Sequence, residues 1–535
     1  MSAAVAAVFI AAVLLRLPAC HESFWVDELH SAWVVWDGIE QVPARAAAGN
    51  QTPFYFYGLW FWKQMVGGSE FALRLSSVLM MSLAAAVLVV AVSRRTGRIA
   101  AGIIAGGFLA VDSNAIFFGT ELRPYALVVL CATVAIALFA SILHRLSNGR
   151  EITVRCLLWL VAVACFAALF QPTSVGALMP LVGIACAIIC WRGPAIGQRI
   201  SATHWLFAGG LIVITVVALT QSAAADAWSA RDNWKAFASS QQWRQMWTVW
   251  PWEPLVIWPA VPALGWAIYC GRRFPARWSA WPWLLALAIS ITTMTWLAAR
   301  GDWIPLWHRR YMVSVLPMLA WVGGALWATV AEAVAIKTEP TALAANSAIR
   351  RLGDSLAQTV VVAAALTLLA WNQGTLDRLL ARGPVLVHRQ EGWREAAQWV
   401  ASRRHPDDIL WVAAGLIESQ ELRRRNPDEP LPPHRRDYLN YVVSGPYPLS
   451  DPHPIGPIRE SLASNIGTLV DGDENEVTGE ARSVWILARF PARKLEAILK
   501  EISKSNETVG EAIQRRKVTR FGGVTVVQIR LADPR

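Results

Sequence analysis

The chain opens with MSAAVAAVFIAAVLLRLPACHESFWVDELHSAW, residues 1–33, in which an apolar run gives way to two adjacent carboxylates, Asp27 and Glu28. A membrane-spanning helix needs about 20 predominantly apolar residues, and this first run is close to that length. Trp25 and Trp33 flank the acidic pair, and indole rings concentrate at membrane–water interfaces. The stretch therefore indicates a membrane protein that holds negative charge at a bilayer surface.

The composition of the whole chain agrees with this interpretation. Of 535 residues, 55% are hydrophobic and 16% are charged, and the mean hydropathy is +0.37, which excludes an ordinary soluble domain. The net charge of +11 would suggest nucleic-acid binding in a soluble protein, but here the basic residues sit in short loops between apolar runs. Seven cysteines lie in or beside these runs, so we predict neither a disulfide framework nor a CxxC metal site.

About 11 apolar runs are candidates for membrane-spanning helices. They begin near Ser2, Phe71, Ile99, Tyr125, Cys156, Ser174, Trp205, Glu253, Ala280, Tyr311 and Ala357. Basic loops at 94–98, 144–155, 192–199 and 271–277 are typical of the cytoplasmic side, so the loop 20–70 and the segment after about 372 are expected outside. Leu17–Cys20 loosely matches a lipoprotein cleavage box, but its flanking residues favour a retained first helix.

We predict two domains, a transmembrane domain at 1–385 with its first exterior loop at 20–70, and an exterior soluble α/β domain at 386–535. The pattern of the second domain alternates helix and strand. Its predicted elements are helices at Gly392–Arg403 and Ala492–Ile502 and strands at Ile409–Ala414, Val484–Ala488 and Val524–Ile529. Two Pro-rich stretches, 427–438 and 446–457, are predicted to be irregular.

The acidic pair is the strongest candidate for chemistry. An acidic dipeptide often marks only a solvated loop, but apolar bulk from Phe24, Trp25 and Leu29 surrounds this one and suits a cleft at the membrane surface. A carboxylate partly removed from water can act as a base toward an incoming hydroxyl. His30 follows Asp27 at helical spacing and is a weak candidate for a metal ligand, since a lone histidine is more often simply hydrogen-bonded.

Cations and aromatic side chains at predicted exterior helix ends suit a phosphate-bearing lipid substrate. Arginine makes bidentate contacts with phosphate oxygens, although an arginine at a helix end can also extend toward lipid headgroups without a specific ligand. Aromatic rings can stack on a sugar or anchor the protein at the interface. The candidates are Arg123, Arg309, Arg310, Tyr55 and Tyr125, with Lys63 a weaker one.

Four stretches in order carry a resemblance to a known family: QTPFYFY at 51–57, GSEFALRLS at 68–76, FFGTELRPYAL at 117–127 and WHRRY at 307–311 with Pro317 after it. Together with the acidic pair, they resemble the GT-C superfamily of membrane glycosyltransferases. The branch concerned contains protein O-mannosyltransferases and the aminoarabinose transferase that modifies lipid A, together with bacterial relatives. The resemblance covers roughly residues 1–317.

The resemblance implies a GT-C fold and a transferase that moves a sugar from a polyprenyl-phosphate donor to a hydroxyl of a protein, lipid or glycan. It implies Asp27 as general base, Glu28 as its neighbour in substrate positioning, inversion at the anomeric carbon, and an active site on the exterior or periplasmic face of a bacterial inner membrane. Arg74 also matches the family pattern.

No cofactor is required by the resemblance; a divalent metal remains an unfavoured alternative, and no nucleic-acid partner is expected. The C-terminal domain is assigned no catalysis. The alternative function is a polytopic transporter or lipid-linked sugar flippase, against which charges cluster at helix ends and no paired broken helices are evident.

Overall fold

The computed structural model describes most of the chain in two compact units. Described are residues 1–151, 154–192, 200–222, 242–269, 279–337, 347–414, 433–455, 462, 465–466, 483–505 and 507–530. The first unit is Met1–Cys20 with Arg74–Val387, and the second is His21–Leu73 with His388–Arg535. The second unit is thus built from two separate parts of the chain. The division into domains at 385 and 386 stays a prediction.

Within the described residues, eight helices are long and apolar enough to cross a membrane. They are Ser2–His21, Glu70–Thr96, Tyr125–Ser147, Pro172–Arg192, Ala202–Thr220, Ala280–Arg300, Val315–Val334 and Ser355–Asn372. Ile99–Val111 and Ser113–Gly119 make a ninth span if the pair, bent by 63°, is taken as one. The polytopic α-helical fold class predicted from the sequence is confirmed.

Two of the 11 predicted runs form shorter helices than expected. Val154–Phe170 has 17 residues and is followed directly by Gln171 and Pro172. The run from Glu253 forms a π-helical turn, Glu253–Ile257, before the helix Trp258–Tyr269, and Pro262 inside that helix lacks the backbone donor that a regular helix uses at this position. The basic loops at 193–199 and 271–277 lie outside the described residues.

Asp112 sits at the bend between the two helices of the paired span. Its backbone is extended, and its carboxylate Oδ1 accepts a hydrogen bond from the Ala115 N–H at 2.9 Å. Aspartate is a favoured residue at this helix-capping position because it satisfies an N–H that lacks an intrahelical partner. The bend therefore ends one helix and begins Ser113–Gly119 without leaving that donor unsatisfied.

Small residues let the helices of the first unit approach closely. A Cβ added at Gly324, on the helix Val315–Lys337, would lie 2.6 Å from the Ala101 carbonyl oxygen and 2.8 Å from the Ala105 Cβ of the helix Ile99–Val111. Small residues at helix crossings are typical of membrane proteins, in which close van der Waals packing drives association.

Gly324→Ala is expected to lower the thermal midpoint of the detergent-purified protein, since the added methyl group meets backbone that can move only with its helix. Overpacking of this kind costs about 1–3 kcal/mol. The matched control is Gly183→Ala on the helix Val175–Arg192, where an added Cβ has nothing within 4 Å and better helix propensity should raise or preserve the midpoint. Equal midpoints for the two variants would contradict the close crossing.

The second unit contains a five-stranded mixed sheet in the order β2-β1-β3-β5-β4. Its strands are β1 Ile409–Ala413, β2 Pro452–Pro454, β3 Ser483–Ala488, β4 Arg516–Phe521 and β5 Val524–Arg530. β1 pairs in parallel with β2 and β3, and β5 pairs antiparallel with β3 and β4. Gly522, with φ +61°, and Gly523 make the two-residue turn between β4 and β5, where positive φ favours glycine.

The C-terminal part of the second unit also contains the helices Trp393–Ala401, Pro433–Ser444, Ala492–Ser505 and Glu507–Gln514. Its N-terminal part contains the helices Val26–Val34, Val42–Ala48 and Phe54–Val66. The small sheet expected in the C-terminal region is confirmed. The expectation of irregular chain was wrong at Pro433–Ser444, because proline is tolerated in the first turn of a helix, and at 452–454, where an edge strand accepts proline. Residues 427–432 lie outside the described part.

Candidate functional site

The acidic pair begins a helix, as its local chemistry favours. Trp25 is extended and precedes the helix Val26–Val34, so both carboxylates fall in the first turn, where the helix dipole favours negative charge. Glu28 is fully buried, and its Oε2 accepts a hydrogen bond from the Trp25 N–H at 3.4 Å, which fixes the start of the helix. Asp27 is only half-buried. Of the two carboxylates, Asp27 is therefore the more exposed one.

His30 lies in an aromatic cluster. Its ring centroid is 6.0 Å from Trp33, 6.0 Å from Phe56 and 5.5 Å from Tyr438, and the residue is 4% exposed. Among the residues that the structure describes, no group of three or more His, Cys, Asp or Glu could hold a metal ion. The surroundings of His30 are those of a packed aromatic residue, and its weak candidacy as a metal ligand stays a prediction.

Lys63 and Tyr55 lie on the helix Phe54–Val66 of the same unit. The Lys63 ammonium donates to the carbonyl oxygen of Val35 at 3.0 Å and to that of Trp36. Both residues directly follow the acidic helix, Val26–Val34. Burial lowers the pKa of this lysine, and the nearby carboxylate of Asp37 partly opposes the shift. Tyr55 is buried against Phe56, with ring centroids 5.3 Å apart. These contacts describe a lysine that caps a helix end; its phosphate role stays a prediction.

In the first unit, the charges of Arg123 and Arg310 both act on the Tyr125 phenol, although the two arginines are 187 positions apart in the sequence. Both guanidinium groups interact electrostatically with the Tyr125 phenol, as does the buried carboxylate of Glu121. The backbone N–H of Arg310 donates to His308 Nδ1 at 3.3 Å, and the Arg310 guanidinium lies 5.3 Å from the Tyr311 ring centroid. Two guanidinium charges within electrostatic range of one tyrosine hydroxyl are residue types suited to a phosphate.

Arg309 makes different contacts from its neighbour. Its Nη1 donates to Asn114 Oδ1 at 2.8 Å and its Nη2 to the Thr248 carbonyl at 3.1 Å. Burial lowers its pKa, and the charge of Asp112 opposes that shift. Arg309 therefore ties three segments of the first unit together. Arg74 is also enclosed: it is 0% exposed, and its Nη1 donates to the Cys20 carbonyl at 3.1 Å.

Two residues next to the acidic helix carry no signal in the sequence that would identify them. Glu391 Oε2 accepts a hydrogen bond from the Val26 N–H at 3.0 Å, and the Tyr447 hydroxyl accepts one from the Phe24 N–H at 2.7 Å. Both come from the C-terminal part of the second unit. No spacing in the sequence connects Glu391 or Tyr447 with Asp27.

Comparisons with known proteins give the fold. No family model matches the sequence, and no curated protein matches it. The crystal structure of ArnT from Cupriavidus metallidurans bound to undecaprenyl phosphate is similar with a TM-score of 0.51 and 14% identity, over 98% of this chain and 97% of that one. The apo state of the same protein gives 0.50 and 14% over the same shares.

A more distant likeness is to the apo oligosaccharyltransferase from Archaeoglobus fulgidus, with a TM-score of 0.47, 13% identity, and coverage of 93% of this chain and 71% of that one. ArnT is an aminoarabinose transferase of the GT-C fold. The likeness to ArnT extends over nearly the whole of both chains, and it confirms at the level of fold the resemblance that the sequence motifs carry. The chain has the GT-C fold.

Proposed function

We propose that this protein is a membrane glycosyltransferase that moves a sugar from a polyprenyl-phosphate donor to a hydroxyl acceptor. The observation that carries the proposal is the GT-C fold, shared over 98% of the chain with ArnT, whose structure holds undecaprenyl phosphate. The half-buried Asp27 in the first turn of its helix and the Arg123–Tyr125–Arg310 group add support from this chain's own residues. The acceptor is a lipid, a glycan or a protein.

In the proposed reaction, Asp27 takes the proton of the acceptor hydroxyl as the oxygen attacks the anomeric carbon of the donor sugar. A new C–O bond forms, the bond from that carbon to the phosphate oxygen breaks, and polyprenyl phosphate leaves with both electrons of the broken bond. Attack from the face opposite the phosphate inverts the anomeric carbon. Glu28 fixes the helix start that carries Asp27.

The departing phosphate gains negative charge, and cations placed for it lower the barrier. We assign this role to Arg123 and Arg310, with the Tyr125 hydroxyl beside them as a further hydrogen-bond donor. Arg309 and Arg74 support the surrounding structure through the contacts described above. We further propose that no metal takes part.

The charge distribution of the loops supports an arrangement in which Asp27 and the C-terminal segment face the exterior or periplasmic side of the membrane. Basic residues follow the predicted cytoplasmic ends, as at 94–98 and 144–155. A lipid-linked donor of this class would be reached from that face.

The first test is release of polyprenyl phosphate from a panel of polyprenyl-phosphate sugars by the detergent-purified protein, with and without an acceptor mixture from cell envelopes. We expect one donor to be consumed, with inverted product stereochemistry and an unchanged rate in a chelator. A rate abolished by the chelator and restored by a divalent ion would refute the metal-free mechanism. A folded protein that consumes no donor but moves lipid-linked sugars between the leaflets of vesicles would favour the flippase alternative.

A further inference from the structure

The short segment before the acidic helix is hydrogen-bonded along its length to residues from the far end of the sequence. The Val26 N–H donates to Glu391 Oε2 at 3.0 Å, and the Phe24 N–H donates to the Tyr447 hydroxyl at 2.7 Å. The Ser23 hydroxyl donates to Glu395 Oε2 at 3.0 Å. All these contacts lie within the second unit.

Glu391 is a fixed acceptor rather than a mobile side chain. It is 8% exposed, and its Oε1 accepts from Arg489 Nε at 2.6 Å, while its Oε2 accepts from Trp393 Nε1 at 3.1 Å as well as from Val26. Burial raises the pKa of Glu391, although these partners oppose the shift. Arg489 directly follows β3, so the central sheet determines where the carboxylate lies.

The bond to Val26 has a particular effect on the helix. The first four N–H groups of any helix lack an intrahelical acceptor, and an anion at that end is stabilised by the helix dipole. Glu391 supplies both an acceptor and a charge for the N–H group immediately before Asp27. It therefore determines the position of the first turn, which carries Asp27.

Tyr447 fixes the chain two residues earlier. Its hydroxyl accepts from the Phe24 N–H and donates to Glu70 Oε1 at 3.0 Å. The Arg394 guanidinium also holds that carboxylate, with its Nε 3.2 Å from Oε1, and its Nη1 donates to the His21 carbonyl at 3.0 Å. The Tyr447 hydroxyl is thus held by one donor and one acceptor, and it fixes the position of the Phe24 backbone.

We infer that Glu391 and Tyr447 are positioning residues for Asp27, so that the C-terminal segment, which the sequence leaves without a catalytic role, is required for the chemical step. The inference rests on the proposed function. Misplacement of a reacting group by about 1 Å can reduce the rate by about 100-fold, and loss of either bond releases the peptide next to the proposed base.

The test of Tyr447 compares two tyrosines that differ in their hydroxyl contacts. Tyr447→Phe removes the bond to Phe24 and should lower kcat by about 10- to 100-fold with an unchanged donor KM. Tyr441→Phe makes the same change at a buried tyrosine whose hydroxyl has no hydrogen bond among the described residues, and it should keep wild-type kcat. In amide hydrogen exchange, the peptide spanning 22–30 should lose protection severalfold in Tyr447→Phe alone.

Glu391 is tested with two substitutions of graded severity. Glu391→Ala removes the acceptor and should cause the larger loss of kcat together with faster exchange of the peptide 22–30. Glu391→Gln keeps an oxygen for the Val26 N–H, but it loses the charge and turns an amide NH2 toward Arg489, so it should recover part of both losses. If Glu391 had only a structural role, activity would follow the thermal midpoint in all variants, and Glu391→Gln would show no such recovery.

The outcomes separate this inference from the function on which it rests. Unchanged exchange and kcat in both Tyr447→Phe and Glu391→Ala, beside active wild type, would overturn the inference and leave the transferase standing. A wild-type protein that consumes no donor would refute the proposed function and with it the catalytic meaning of these contacts. Loss of kcat with Tyr441→Phe unaffected would support both.

Discussion

Replacing Asp27 by asparagine should reduce sugar transfer by about 10²–10⁴-fold, because an amide cannot accept the proton of an acceptor hydroxyl. The substitution keeps the size of the side chain at the first turn of the helix Val26–Val34. Since Asp27 is half-buried, removal of its charge should leave the thermal midpoint close to that of wild type. The measurement is the rate of polyprenyl-phosphate release at saturating donor, together with donor affinity, which should not change.

Glu40→Gln is the matched control for Asp27→Asn. Glu40 is an exposed carboxylate in the same part of the second unit, in the turn Ile39–Gln41, and its loss of charge should not alter transfer. Near wild-type turnover in Asp27→Asn would rule out Asp27 as the general base.

Arg123→Ala and Arg310→Ala should each weaken the binding of polyprenyl phosphate by about 10- to 100-fold. A hydrogen bond to a charged group contributes about 1.5–3 kcal/mol, and each arginine is proposed to supply at least one to the phosphate. Affinity for the isolated lipid phosphate is the direct measurement, because it requires no knowledge of the sugar or acceptor. High ionic strength should reduce the contribution of these two arginines to the affinity less than it reduces the contribution of an exposed surface cation.

Two other arginines serve as controls for this experiment. Arg300 is exposed at the end of the helix Ala280–Arg300 and lies 5.2 Å from the Trp296 ring centroid, so Arg300→Ala should bind the lipid phosphate as wild type does. Arg309→Ala should lower the thermal midpoint, since it breaks the bonds to Asn114 and Thr248. If Arg123→Ala and Arg310→Ala bound the lipid phosphate as tightly as Arg300→Ala, the proposed phosphate role would be wrong. Arg123 and Arg310 would then be arginines at helix ends without a specific ligand.

The membrane fold is predictable from the sequence because apolar runs of spanning length have few alternatives. The run from Ala280 forms a helix that begins at the predicted residue, and the run from Tyr311 begins four residues later than predicted, at Val315. Tyr311 is instead in the 3₁₀ turn Arg309–Tyr311, which a hydropathy pattern does not distinguish from a first helical turn.

The details of the site depend on information that single stretches do not contain. Adjacent arginines at 309 and 310 give the same local signal, yet one contacts Asn114 and the other interacts with Tyr125. Glu28 turns back to the Trp25 N–H although tryptophan replaces the serine or threonine that usually marks such a helix start. Glu391 lies 365 residues from its partner Val26, and no periodicity predicts a pair so far apart.

The discontinuous second unit has a consequence for how the protein is made. Residues 21–73 are synthesised before their partners in 388–535, which follow only after the intervening part of the first unit. At about 5–20 residues per second, the Val26 N–H waits roughly 20–70 s for Glu391, a separation of 365 residues. During biosynthesis the acidic helix therefore acquires these hydrogen-bond partners only after the intervening part of the first unit has been made, and a chain that stops before Glu391 retains the helix sequence without the partners that hold it in place.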